Sequence, residues 1–196
     1  MITKTQLQVK RVFDVVLVVA LLPLLTIPVL LLIIIASFDT QQFGVFSQYR
    51  VGQHAKLFRI YKIRTLKGSN HQLGRIEYSA TRLGKYLRRS KLDEFPQLFN
   101  VLVGDMSFVG PRPDLQGFAD TLESDDRIIL VVKPGITGPA TLKYRDEERI
   151  LKQQSDPNAY NRTVIWADKV KINKKYVQNY SFYLDLTLIL KSILNK

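Results

Sequence analysis

The 196-residue sequence predicts an α+β protein, mainly helical, made of an N-terminal membrane helix followed by one small domain carrying interfacial amphipathic helices. Three observations predict it. Residues 15–38 (VVLVVALLPLLTIPVLLLIIIASF) contain no charge and exceed the roughly 20 residues that cross a bilayer core. The remainder has the length of a single ordinary domain. Its apolar residues recur mainly at helical spacing, with one stretch that alternates as a strand does. The boundary falls between a membrane element at 1–39 and a folded domain at 40–196.

The apolar run is too long for the core of a cleaved signal peptide and has no small-residue cleavage site before Asp39, so the sequence keeps it in the mature protein. Its orientation is the informative feature. Lys4, Lys10 and Arg11 precede it and Arg50, Lys56 and Arg59 follow, so both flanks favour the same, cytoplasmic, side. Pro23 and Pro28 each delete a helical N–H and push away the carbonyl four residues back, which allows a bend and a re-entrant course through one leaflet. A straight span with two tolerated prolines stays open beside it.

Further along, Leu57, Arg59, Tyr61 and Ile63 alternate with Phe58, Ile60 and Lys62, predicting a strand or two between 43 and 66. Residues 67–74 have the composition of an exposed loop. A helix at 81–90 places Leu83 and Leu87 opposite Arg82, Lys85, Arg88 and Arg89. A second, at 93–103, carries Phe95, Leu98, Phe99 and Leu102, tolerates Pro96 in its first turn and stops at Gly104. Gly110-Pro111-Arg112-Pro113 and the stretch 134–139 read as rigid loops. Helices follow at 146–153 and 165–179, broken at Asp156-Pro157-Asn158. The last, at 181–194, sets Ser181, Asp185 and Ser192 against Leu184, Leu188 and Ile189, suited to lying on a membrane or closing the core.

Lys and Arg number 29 against 17 Asp and Glu, a net charge of +12 that calls for an acidic partner: nucleic acid, an anionic membrane surface or a phosphorylated substrate. Cysteine is absent, which excludes disulfides, thiolate zinc sites and a Cys nucleophile, and His54 and His71 have no partner at metal spacing. No P-loop and no G-x-G-x-x-G is present, and the basic stretches lack aromatic interleaving, which speaks against nucleic acid. Chemistry must therefore rest on carboxylates, hydroxyls, Lys and Arg.

The most reactive arrangement is the adjacent pair Asp93-Glu94 behind Arg88, Arg89 and Lys91. One carboxylate is able to attack phosphorus while the other holds a hard divalent ion, which needs only one or two carboxylates plus the substrate's own phosphates. Acids in a first helical turn also serve simply to favour the helix dipole, and local sequence alone leans that way. Arg112, held between two prolines, is placed to clamp a phosphate, or is an ordinary loop arginine. Lys62 and Arg64 suit a diphosphate, although alternate residues of a strand are as often a solvated face.

Five segments carry a resemblance: Lys10-Arg11-Val12-Phe13-Asp14 before the proline-broken run; Tyr61-Lys62-Ile63-Arg64-Thr65; Leu92-Asp93-Glu94-Phe95-Pro96-Gln97-Leu98-Phe99-Asn100-Val101; Gly104-Asp105-Met106-Ser107-Phe108-Val109-Gly110-Pro111-Arg112-Pro113; and Pro134-Gly135-Ile136-Thr137-Gly138. In this order they resemble the bacterial sugar transferases, monotopic phosphoglycosyl transferases that begin glycan assembly for capsule, O-antigen, exopolysaccharide or glycoprotein. The resemblance covers nearly the whole chain and implies the minimal catalytic unit.

It implies transfer of a sugar 1-phosphate from a UDP-sugar to polyprenyl (undecaprenyl) phosphate with release of UMP. By the family's pattern Asp93 is the nucleophile of a covalent phosphosugar intermediate and Glu94 the ligand of an Mg²⁺ cofactor. Lys62, Arg88 and Arg112 match basic positions around the phosphates, and Pro139, Thr141 and Arg145 fall in the sugar-nucleotide pocket. The implied location is the cytoplasmic leaflet of the bacterial inner membrane, with the domain in the cytoplasm, no nucleic-acid partner, and a homodimer compatible with it. The family's membrane helix is re-entrant and breaks at a Ser-Pro pair. Ile27-Pro28 stands there in this chain, so the bend must rest on Pro23 and Pro28. Where many members continue Trp-Ala-Gln after the glycine, this chain has Pro139-Ala140-Thr141, which leaves the sugar open. The rival classes are a membrane-anchored binding protein for acidic lipid or nucleic acid, which needs the basic surface but no acidic pair, and a structural anchor.

Overall fold

A computed structural model describes residues 1–68 and 76–194, so most of the loop expected at 67–74 lies outside the described residues, as does His71. Helix α1 (Lys4–Thr40) opens on a capping box, in which Thr3 accepts from the Gln6 amide and the Gln6 side chain returns to the Thr3 amide. It continues unbroken through Pro23 and Pro28 and ends at Gln41, whose φ of 56° is left-handed. The two prolines therefore sit inside one helical element and not at a chain reversal. Along α1 the hydroxyls of Thr26, Ser37 and Thr40 are satisfied by carbonyls four residues back, at 2.6, 2.9 and 2.7 Å.

Strands β1 (Val45–Val51) and β2 (Leu57–Ile63) form the expected antiparallel hairpin, with Gln48 opposite Ile60. Gly44 leads into it pressed against α1: a Cβ there would lie 1.9 Å from the Ile33 carbonyl oxygen, so only glycine fits. Phe58 and Ile60 are buried, and Lys62 continues their parity, so the alternation carries an ammonium towards the interior. Arg64 turns away from it, donating to the Phe43 carbonyl with its guanidinium over the Phe46 ring.

After α2 (Ile76–Ser79), helix α3 (Arg82–Ser90) is capped by Thr81. The helix expected from residue 93 starts later, as α4 (Gln97–Val103), and the acidic pair occupies a separate 3₁₀ turn, Leu92–Glu94. Pro96 has no N–H to bond back to residue 92. The turn is instead closed by tighter bonds, Glu94 N–H to Lys91 and Phe95 N–H to Leu92. Gly104, at φ 94°, stops α4 as anticipated.

The stretch 134–139, read as a loop, carries a short strand, and another short strand ends just before the loop at residues 110–113. β3 (Ser107–Val109) and β4 (Gly135–Thr137) pair in parallel, and the adjoining loops are locked by bonds from Gly110 N–H to Thr137 (2.9 Å) and Gly135 N–H to Pro111 (2.8 Å). The chain completes with α5 (Pro139–Lys143), α6 (Glu147–Lys152), α7 (Pro157–Tyr160), α8 (Trp166–Gln178) and α9 (Phe182–Leu194). Asp156 caps α7, so the expected break is a helix start, followed by a π-helical turn at Asn161–Ile165.

The main core joins Val18 of α1 to Leu98 and Val101 of α4, Met106, Phe108 and Val109 around β3, and Tyr176, Val177 and Leu188 of α8 and α9. Helix α1 touches this one domain along its length. Ile2, just before it, donates its amide N–H to the Val177 carbonyl, Leu7, Leu22 and Leu25 pack against the main core, and Ala36 is buried with Ile63 and Leu87. Its outer face, including Leu24, Ile27, Leu31, Ile34 and Phe38, is exposed. Among the described residues it is the one helix long and apolar enough to cross a membrane.

Two expectations about charge are corrected. Lys10 and Arg11 are not free flanking charges: Lys10 is buried in an ion pair with Asp185 at 2.5 Å, and Arg11 donates to the Val101 and Leu102 carbonyls at the end of α4. The polar face of α9 is likewise internal at Asp185, which accepts from Tyr176 and Tyr180, while Tyr183, Leu190, Ile193 and Leu194 face outward. A buried acid is tolerated there because Lys10 and two hydroxyls satisfy it.

Candidate active site

The centre of the site is Glu94. Lys62 from β2 donates to its Oε1 at 2.9 Å, and Arg112, from the loop after β3, donates to the same oxygen at 2.5 Å. Burial alone would raise the Glu94 carboxyl, but Arg112 and Lys62 outweigh it and hold the group well below the ordinary carboxylate range. Burial pulls the Lys62 ammonium down, against the attraction of Glu94, whereas Glu94 makes the Arg112 guanidinium hold its proton more tightly still. Glu94 is thus an ionised carboxylate fixed by two cations from different elements.

Asp93 differs from it although it is adjacent. Successive residues of a 3₁₀ turn point about 120° apart, so the two carboxyls face different surroundings. Asp93 is 4% exposed, and its Oδ1 is buried without a hydrogen-bond partner among the described residues. Burial pushes its carboxyl up, only partly offset by Lys62, with Glu94 reinforcing the rise and Arg88 and Lys91 opposing it. Asp93 is thus less stabilised as an anion than Glu94, with one oxygen free of hydrogen bonds among the described residues.

A polar cleft of about 240 Å³ opens beside this pair, lined among others by Arg88, Lys91, Arg112, Thr141, Arg145 and Asn173. Arg88 and Arg112 from the predicted phosphate set thus share a wall with Thr141 and Arg145, while Lys62 reaches the site through Glu94. Pro139 opens α5 two residues before Thr141 and is not itself part of the lining.

Sequence reasoning gave no role to four residues that the fold brings in. Lys91 adopts φ 60°, donates to the Arg88 carbonyl and so ends α3 where the acidic turn begins. Asn100 is fully buried, donates to the Arg59 carbonyl at 2.8 Å and accepts from the Tyr61 amide, fixing β2 with its Lys62 against α4. Asp114 and Lys169 line the cleft, and burial pushes the Asp114 carboxyl up to about 6. The run from Leu92 to Val101 contained Asn100, but nothing local marks an asparagine as a strand tether.

The donor set fits a hard divalent cation carried by a phosphorylated substrate. Both cations address Oε1 of Glu94, leaving Oε2 without a hydrogen bond among the described residues, and one carboxylate suffices when the substrate supplies phosphate oxygens. No group of three or more acidic, His or Cys side chains able to hold a metal alone exists among the described residues.

A family described as Bacterial sugar transferase matches residues 5–196. The chain is 33% identical over 183 residues to the uncharacterized sugar transferase EpsL of Bacillus subtilis, covering 92% of this chain and 83% of that protein. It is 30% identical to a UDP-N-acetylgalactosamine-undecaprenyl-phosphate N-acetylgalactosaminephosphotransferase of Aeromonas hydrophila and 32% identical to a UDP-glucose:undecaprenyl-phosphate glucose-1-phosphate transferase of Klebsiella pneumoniae. Each match spans 94% of this chain, but only 43% and 39% of those longer proteins.

Proposed function

The chain belongs to the bacterial sugar transferase family, and on that premise we propose that it moves a sugar 1-phosphate from a UDP-sugar to undecaprenyl phosphate at a membrane surface, releasing UMP. The observation that carries the reading is the division of labour in the acidic turn: an unpartnered, buried Asp93 oxygen beside a Glu94 locked by Lys62 and Arg112.

In this reading an Asp93 carboxylate oxygen attacks the phosphorus bonded to the sugar, and the phosphoanhydride bond breaks with its electron pair leaving on UMP. The product is an acyl-phosphate that holds the phosphosugar. An oxygen of the polyprenyl phosphate then attacks the same phosphorus, and the bond to Asp93 breaks to return the carboxylate. Neither step requires a proton relay, consistent with a site that has no histidine among its lining residues. Arg112 and Arg88 neutralise the phosphates. Mg²⁺, held through Glu94 and the diphosphate, would offset charge on the departing UMP. Two sequential transfers let one small site serve two bulky substrates.

The membrane arrangement we favour is re-entrant, with both ends of α1 and the whole domain on the cytoplasmic side of the inner membrane. Supporting it, the start, middle and end of α1 all pack on the one domain. A perpendicular span would carry that domain into the hydrocarbon. Apolar residues exposed on α1 and on α9 suit the headgroup boundary instead, and Pro23 and Pro28 allow α1 to bend there. An apolar groove of about 400 Å³ between the middle of α1 and α4, lined by Leu22, Leu25, Val29, Phe95, Pro96 and Phe99, begins one residue after Glu94 and suits the first isoprene units of the lipid.

The test is UMP release by the protein in lipid nanodiscs containing undecaprenyl phosphate, across a panel of UDP-sugars. Without the lipid acceptor, intact mass should rise by one phosphosugar. An adduct that persists in Asp93→Asn would rule out Asp93 as nucleophile.

A further inference from the structure

The cleft beside the acidic turn has a wall that the phosphate chemistry does not use. Asn173 of α8 lines it while only 3% exposed, and its Oδ1 has no hydrogen-bond partner among the described residues. Thr141 of α5 lines the same cleft with its Oγ1 buried and unpartnered. A buried polar atom without a partner is destabilising, so two in one cleft point to a partner that the chain itself does not supply.

The chemistry of that partner follows from the neighbours. Asp114 lines the cleft and its side chain makes no hydrogen bond among the described residues, while Glu147 is engaged by Lys169 at 2.6 Å. Carboxylate, amide and hydroxyl together take the hydroxyls of a sugar, each both donor and acceptor. Size agrees: about 240 Å³ is below the usual range of ligand pockets, room for one pyranose ring and its phosphate but not a whole nucleotide sugar. Proximity agrees too, since the cleft shares Arg88, Lys91 and Arg112 with the surroundings of Asp93, and the sugar is one bond from the attacked phosphorus.

We propose that Asn173, Thr141 and Asp114 form a hydroxyl-reading subsite that holds the sugar ring of the donor and sets which UDP-sugar is accepted. The inference rests on the transfer reaction proposed above. It adds that selection is made from α8, well away in sequence from the acidic turn.

Binding to the protein in nanodiscs tests it, by calorimetry with a panel of UDP-sugars and with UDP, which keeps the ribose but lacks the sugar. Asn173→Leu, of similar volume, should weaken the preferred UDP-sugar about tenfold and leave UDP within twofold. Asp114→Asn, on the accessible wall, should show the same selective loss should Asn173→Leu fail to fold. Equal weakening of UDP and UDP-sugar, or no weakening of either, overturns the subsite. So does a wild-type protein that binds no UDP-sugar of the panel more tightly than UDP. Absence of both UDP-sugar binding and UMP release in the wild type overturns the transfer reaction itself, whereas normal turnover with an unaffected Asn173→Leu overturns the subsite alone.

Discussion

Replacing Lys10 by Met separates a charge that orients a membrane segment from one that holds the fold together. The Lys10 and Asp185 side chains are 5% and 1% exposed, and Asp185 also accepts from Tyr176 at 2.6 Å and Tyr180 at 3.3 Å. Methionine keeps most of the apolar stem but removes the ammonium, stranding a buried carboxylate. Breaking such a pair from one side costs about 3–5 kcal/mol, and the two tyrosine donors place this case near 3. Asp185→Leu should cost more, because it strands the ammonium and also leaves two tyrosine hydroxyls unpaired at about 1–3 kcal/mol each. The double variant should recover part of that loss, since no buried charge is left. Trp166 is the only tryptophan, so its fluorescence follows thermal unfolding of the nanodisc-embedded protein. At roughly 2–4 °C per kcal/mol for a chain of this size, Lys10→Met should melt about 6–12 °C lower. A shift under 2 °C, or a double variant no more stable than Asp185→Leu alone, would refute the argument and return Lys10 to the role of a flanking charge.

Glu94→Gln should lower the rate of UMP release on the order of 100-fold, because the neutral amide neither anchors Lys62 and Arg112 nor holds a cation, and a Mg²⁺ titration that matches the wild type would contradict this. Asp114 gives a pH test: its carboxyl, pushed up to about 6 by burial from an ordinary 3.8, binds its proton more tightly in the folded chain than in the unfolded one. Its contribution to stability is therefore lost as pH rises from about 4 through 6. Asp114→Asn should melt above the wild type at pH 7.5, with the advantage shrinking towards pH 5; a lower melting point at pH 7.5 would show that the carboxylate is stabilised where it lies. For topology, single cysteines at Thr5 and Asp125 in this cysteine-free chain should react with an impermeant thiol reagent from the same face of sealed vesicles, and labelling from opposite faces would establish a spanning helix.

Much of this protein is written locally. The uncharged run sets α1, and the alternation through Phe58, Ile60 and Lys62 sets β2 and its inward face. Thr81 and Gly104 mark where α3 begins and α4 ends, because caps and periodicity depend on neighbours within a few residues. The acidic pair was legible as residues in a pattern. Which acid is locked and which is left unpartnered was not, since that depends on Arg112 arriving from the loop after β3 and Lys62 from β2. The same holds for the parallel pairing of β3 with β4, for Asp185 turned inward by a lysine 175 residues away, and for the orphaned amide of Asn173. Hydrophobic period determines which face of an element is buried. A buried polar group, by contrast, is settled by whichever distant segment brings the matching donor or charge within about 3 Å, and only the tertiary fold decides that.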